Sequence, residues 1–236
     1  MNRIIKTGVM AVALAAVAPA FAEELEEEDV GSYGWSPIAI GLASPVQLPW
    51  GHAKWDIYGF NLGLFYFGAP EMYGLGIGGL GALTTGDFAG WEISGLMNYN
   101  ARDVWGLRTT LGANICRGTV RGADVGAFGY RNSIVGFDCE LLGSIENDML
   151  GCQIGGLANL MKNESYGCAV AVGVNIAQVA YGCQVAGIFN MAQELHGCQI
   201  GLVNFAERCP WGFQVGLVNF IMDNTVKVLP IVNAYF

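Results

Sequence analysis

Tyr181 to Phe220 reads YGCQVAGIFNMAQELHGCQIGLVNFAERCPWGFQVGLVNF, and one unit is written there nearly three times. An aromatic or histidine (Tyr181, His196, Trp211) precedes a glycine (Gly182, Gly197, Gly212). A glutamine follows two residues later (Gln184, Gln199, Gln214), and an asparagine (Asn190, Asn204, Asn219) closes the apolar run. Self-similarity at a fixed period limits the fold to one supersecondary unit used repeatedly. Working back along the chain, the unit glycine recurs at 59, 74, 90, 106, 122, 136, 151 and 167, in steps of 14 to 16 residues, most loosely between Gly122 and Leu150.

Parity says where the side chains go, because successive strand residues point to opposite faces. In Gly182 to Asn190 one face carries Cys183, Val185, Gly187 and Phe189, and the other Gln184, Ala186, Ile188 and Asn190. The earlier units repeat the split between an apolar face and a small or polar one. The final two full units are one residue shorter, GCQIGLVN and GFQVGLVN, and need a bulge or a different turn.

An antiparallel meander and a parallel solenoid both repeat a strand this often. A nine-residue strand advances roughly 30 Å, and the other six residues of a unit reach back at most about 20 Å. A coil therefore closes only if the strand breaks at a corner, for which the glycines within the strands are the candidates. From Tyr166 onward every charged residue falls between the strands: Glu194, Glu207, Arg208, Asp223 and Lys227. Charge-free strands with one apolar face suit an outer-membrane barrel, in which closure removes the sheet edges. The expectation is an all-β antiparallel barrel of about twelve strands, one per repeat, with a parallel β-solenoid as the alternative. In the barrel, Tyr73, Trp105, Tyr166, Tyr181 and Trp211 are interface aromatics, at alternating ends. Glu92, Arg108, Gln153, Gln184, Gln199 and Gln214 face the lumen.

GCQIGLVN and GFQVGLVN, the lead-in DIYGFNLGLFY and the closing LPIVNAYF resemble a family of short-repeat bacterial surface proteins whose units read roughly GLQIGLIN. The resemblance covers about Ile38 to Phe236 and implies an envelope location, with no catalytic residue to carry over.

The N-terminus agrees with export. Residues 1 to 22 have the form of a secretory signal peptide: Arg3 and Lys6, an apolar run from Gly8 to Val17, and Ala20-Phe21-Ala22 as a cleavage site. An acidic leader follows at 23 to 35, with six acids in EELEEED, and the repeat domain occupies 36 to 236. Loss of the signal peptide leaves 9 basic against 20 acidic residues, a charge of −11 that opposes nucleic-acid binding. Hydrophobic residues make up 53% of the chain and there are 35 glycines, a content that favours strands over helices.

The seven cysteines include four in one repeat slot (Cys152, Cys168, Cys183, Cys198), and barrel geometry would hold that slot about 10 Å apart between like-directed strands, beyond disulfide reach. No CxxC pair marks a metal site. His52 and His196 lie in no nucleophile constellation, and no GxSxG occurs. Gly76 to Gly81 matches GxGxxG but follows no strand-to-helix transition, so it is read as repeat glycine. The reading is a non-enzymatic envelope protein without cofactor, partnered by the lipid bilayer of an outer membrane. A small diffusion pore and an exported soluble β-solenoid binding module are the alternatives.

Overall fold

The computed structural model describes residues 32–43, 46–50 and 54–235. The signal peptide, most of the acidic leader, His52 and Phe236 lie outside the described residues. The strands are β1 (Gly34–Ala43), β2 (Val46–Leu48), β3 (Trp55–Gly63), β4 (Tyr66–Ala69), β5 (Met72–Gly78), β6 (Gly81–Thr84), β7 (Phe88–Ser94) and β8 (Met97–Asn100). They continue as β9 (Val104–Thr110), β10 (Ala113–Gly155), β11 (Ala158–Ala171), β12 (Val174–Ala186), β13 (Phe189–Ile200), β14 (Val203–Ile221) and β15 (Val228–Tyr235). Among the described residues no helix is long and apolar enough to cross a membrane.

Neighbouring repeats pair in parallel and in register: Gly167 lies beside Gly182, Gly182 beside Gly197, and Gly197 beside Gly212. The chain is a parallel β-solenoid of about ten turns, and the antiparallel barrel is thereby corrected. The barrel rested on an unbroken nine-residue strand, whereas from β3 to β9 each coil breaks into a long and a short strand. β5, β7 and β9 stack on one side, and β4, β6 and β8 on the other. The break falls at the glycines inside the apolar runs. β12 ends at Ala186, Gly187 and Ile188 turn the corner, and β13 starts at Phe189. Past that corner the simple alternation fails, so Ile188 points outward while Asn190 is fully buried. The one-residue deletion in the last two units is absorbed at the same corner, and Asn190, Asn204 and Asn219 form one interior column.

The unit glycines have a separate task. Gly182 and Gly197 have φ of 124° and 139°, backbone that L side chains rarely adopt, and a Cβ there would overlap the carbonyl oxygen of the preceding coil's glycine. The period is thus fixed by close stacking of backbone on backbone.

Antiparallel strands cover the two ends: β2 on β1, and β15 on β14. Inside, an apolar column runs through Ile57, Met72, Phe88, Val104, Val120 and Ile134, next to the corners that carry charge. The opposite half of the interior is filled by amides.

Candidate functional site

The interior amides form two hydrogen-bonded ladders. Asn159, Asn175, Asn190 and Asn204 each donate from Nδ2 to the Oδ1 of the asparagine one coil further on, at 2.8 to 3.0 Å. Each also donates to a backbone carbonyl across the coil, as Asn190 does to Ile200 at 2.8 Å. Gln214 donates to Gln199, and Gln199 to Gln184, both at 2.8 Å, in the opposite axial direction. A polar interior is stable only when its groups are paired, and repetition supplies the pairs coil by coil.

In the middle coils the glutamine slot, two residues after the unit glycine, holds Glu92, Arg108, Asp124 and Asp138 in turn. With Arg131, Glu140 and Glu146 from other slots they make a fully enclosed cluster, none of its side chains more than 2% exposed. Arg108 is bonded through Nη2 to Asp124 and through Nη1 to Asn100 at 2.9 Å. Arg131 stands among four carboxylates: Nη1 at 2.8 Å from Asp138 and 3.1 Å from Asp124, Nη2 at 3.3 Å from Glu140, and Nε at 3.9 Å from Glu146.

Asp124, Asp138 and Glu140 bring one oxygen each within 4.8 Å of one another, an all-oxygen set of the kind that holds a hard cation. The Arg131 guanidinium already bonds all three, so their positive charge comes from the chain itself. Five carboxylates against two guanidiniums still leave an excess of three. Burial pushes Glu92 up to about 7, Glu146 to about 8 and Glu140 to about 9, each against the pull of its arginine. Protons held on these glutamates offset the excess negative charge, while Asp124 and Asp138 lie against the Arg108 and Arg131 guanidiniums.

The outer surface inverts the usual order. Cys183, Val185, Ile188 and Phe189 point away from the interior, as do their equivalents along the rod. Charges outside the interior follow one of the two corner edges and the positions bordering it: the backbones of Glu71, Asp87 and Asp103 stack there, followed by Glu164 on Asp148 and Arg208 on Glu194. The opposite edge is a row of exposed aliphatics, among them Leu80, Leu96, Leu157, Ile188, Leu202 and Leu217.

Comparison with family models, with curated proteins and with solved structures gives no match.

The sequence-predicted polar residues Glu92, Arg108, Gln153, Gln184, Gln199 and Gln214 all lie inside, at 0 to 1% exposure. Gln184, Gln199 and Gln214 bond one another in a column, and Gln153 bonds Asp138, so among the described residues these side chains fill the interior that the barrel reading assigned to a lumen. Tyr73, Trp105, Tyr166, Tyr181 and Trp211 lie on a single outer face beside the charged edge, where the barrel put them at alternating ends. Tyr166 stacks on Tyr181 at 4.6 Å, and Tyr181 on His196 at 4.5 Å. The cysteine slot is likewise a column: Cys152 lies beside Cys168, Cys168 beside Cys183, and Cys183 beside Cys198, with the last pair's Sγ atoms 2.8 Å apart. The barrel spacing of 10 Å is corrected to adjacent coils.

Sequence reasoning missed Asp124, Arg131, Asp138, Glu140 and Glu146. Counting two residues on from Gly122 and Gly136 finds the two aspartates. The other three occupy slots that become visible only once the corners are known.

Proposed function

We propose that this chain is a non-enzymatic scaffold of the cell envelope, an exported β-solenoid that engages partners through its outer surface. The carrying observation is the inversion of polarity. A cluster of two arginines and five carboxylates is sealed inside, while the accessible surface between the edges carries aliphatic, aromatic and thiol side chains, a contiguous apolar surface of the kind that marks an interaction site. A catalyst needs its reactive groups open to substrate, and Arg131 with its carboxylates is closed to it. The signal-peptide-like N-terminus and the likeness to short-repeat surface proteins support an envelope location.

Sedimentation of the purified full chain with and without a mild detergent tests this reading. The expected result is a single monomeric species in detergent and assemblies of higher mass without it. A monodisperse detergent-free monomer would show that the outer faces need no partner. Fractionation of the source cells should place the chain in the envelope, and recovery from the cytoplasm would end the envelope assignment.

A further inference from the structure

We infer that the partner of the outer surface is lipid. The solenoid lies along a bilayer as a monotopic rod, immersed edge-first in the acyl chains of one leaflet, with its charged edge in water. This rests on the scaffold reading and names what the scaffold binds.

Four observations converge. First, the uncharged surface covers both sheet faces and the aliphatic edge between them. A protein partner docks on one face, whereas a medium that wraps three sides of a rod is a solvent. Second, the polarity is graded from edge to edge. Beyond the charged corners comes the slot that holds Tyr73, Trp105, Tyr166, Tyr181 and Trp211, with Ala89 and Arg121 among them. Its polar tips turn back toward the charges at three positions: the Tyr73 hydroxyl donates to Glu71 at 3.2 Å, that of Tyr166 to Glu164 at 3.0 Å, and Arg121 to Asp103 at 2.7 Å. Further from the charges come aliphatic slots such as Val170, Val185 and Ile200, and then Leu202 and its equivalents. Charged groups, an aromatic belt and aliphatic side chains in that order match the passage from water through the headgroups into hydrocarbon.

Third, the depth fits. His196 to Leu202 is six residue steps, at most about 20 Å, against about 20 Å for one leaflet counted with its headgroup region. One leaflet therefore accommodates the uncharged depth. Fourth, the backbone is ready for lipid, which tolerates no unpaired amide. The corner amides of the aliphatic edge bond coil to coil: Leu96 N to Leu80 O at 2.7 Å, Leu157 N to Leu142 O at 2.9 Å, and Val218 N to Leu202 O at 3.1 Å.

The test is flotation of the full chain, diluted from detergent, with vesicles of zwitterionic phosphatidylcholine. The wild type should rise with the vesicles. Leu202→Lys combined with Leu217→Lys, both at exposed positions of the aliphatic edge, should lower the bound-to-free ratio by about tenfold or more. Gln193→Lys on the charged edge should leave that ratio unchanged, with all three circular dichroism spectra alike. If the double variant loses its β spectrum, the wild type still decides: its tryptophan emission should be quenched more by lipids brominated near the headgroup than by lipids brominated at the chain end. Absence of flotation, equal loss from lysine at either edge, or no quenching by brominated lipid overturns the inference. A discrete lipid-free oligomer that ignores vesicles would overturn it and leave the scaffold reading standing. A soluble monomer would remove both.

Discussion

Replacing Asn190 by alanine removes one rung of the asparagine ladder and measures how far the fold depends on its polar interior. The side chain makes three hydrogen bonds: Nδ2 to Asn204 Oδ1 at 2.9 Å, Nδ2 to the Ile200 carbonyl at 2.8 Å, and Oδ1 from Asn175 Nδ2 at 3.0 Å. Asn175 keeps its bonds to the Ala169 and Val185 carbonyls. The Asn204 Oδ1 is left as a buried acceptor without this donor. Three bonds at about 1 kcal/mol net each, with an orphan penalty of about 1 kcal/mol or more, give about 4 kcal/mol lost. Met191→Ala, one residue on and facing outward, loses partly exposed apolar area and costs about 1 kcal/mol. Guanidinium unfolding of both variants in the same detergent, followed by tryptophan emission and circular dichroism, compares them directly. A cost for Asn190→Ala below about 1 kcal/mol, or no larger than that of Met191→Ala, would refute the view that the amide column holds the coils together.

Two further predictions follow from the sealed cluster and the glycine stack. In the folded chain Glu92, Glu146 and Glu140 hold protons up to about 7, 8 and 9, against an ordinary value near 4.5. Between these limits the folded state binds more protons than the unfolded one, so the contribution of these three groups is fully present below the ordinary value near 4.5 and falls as pH rises, by about 1.4 kcal/mol per pH unit for each glutamate that keeps its proton in the fold. Denaturation midpoints from pH 5 to 9 check the slope, and Arg131→Met should steepen it by depriving four carboxylates of their counter-charge; a flat profile would contradict the cluster. Gly197→Ala forces a side chain into the Gly182 carbonyl at a φ of 139° and should destabilise by more than the roughly 1 kcal/mol that such a change gains at a compatible position. Gly81→Ala, where a Cβ would meet nothing nearer than 3.4 Å, is the comparison, read by the same unfolding assay.

The sequence shows the unit, its period and the sorting of side chains into an apolar and a polar set, because strand parity writes these directly into residue order. Gln184 and Val185 sort correctly from their neighbours alone. The handedness of pairing is not written there: a parallel coil and an antiparallel meander share the same parity, and the choice turns on whether Gly187 and its equivalents bend the chain. Reading the apolar run as one strand carried the alternation through that corner and turned Ile188 inward. The charged cluster was obscured for a related reason. Asp124 and Asp138 replace glutamine in its own slot, and this looks like decay of the repeat until Arg131, from the other side of the coil, is seen between them.

Disulfide mapping after mild oxidation tests the in-register parallel coil most directly. Cys183 and Cys198 lie side by side on adjacent coils, and strands about 4.8 Å apart are within the span a disulfide bridges. Copper-phenanthroline treatment of the purified chain, followed by proteolysis and mass spectrometry, should recover Cys183 joined to Cys198, with Cys152 joined to Cys168 as the second product. Failure of Cys183 to pair with Cys198 while both thiols remain open to a small alkylating reagent would contradict the stacked coil.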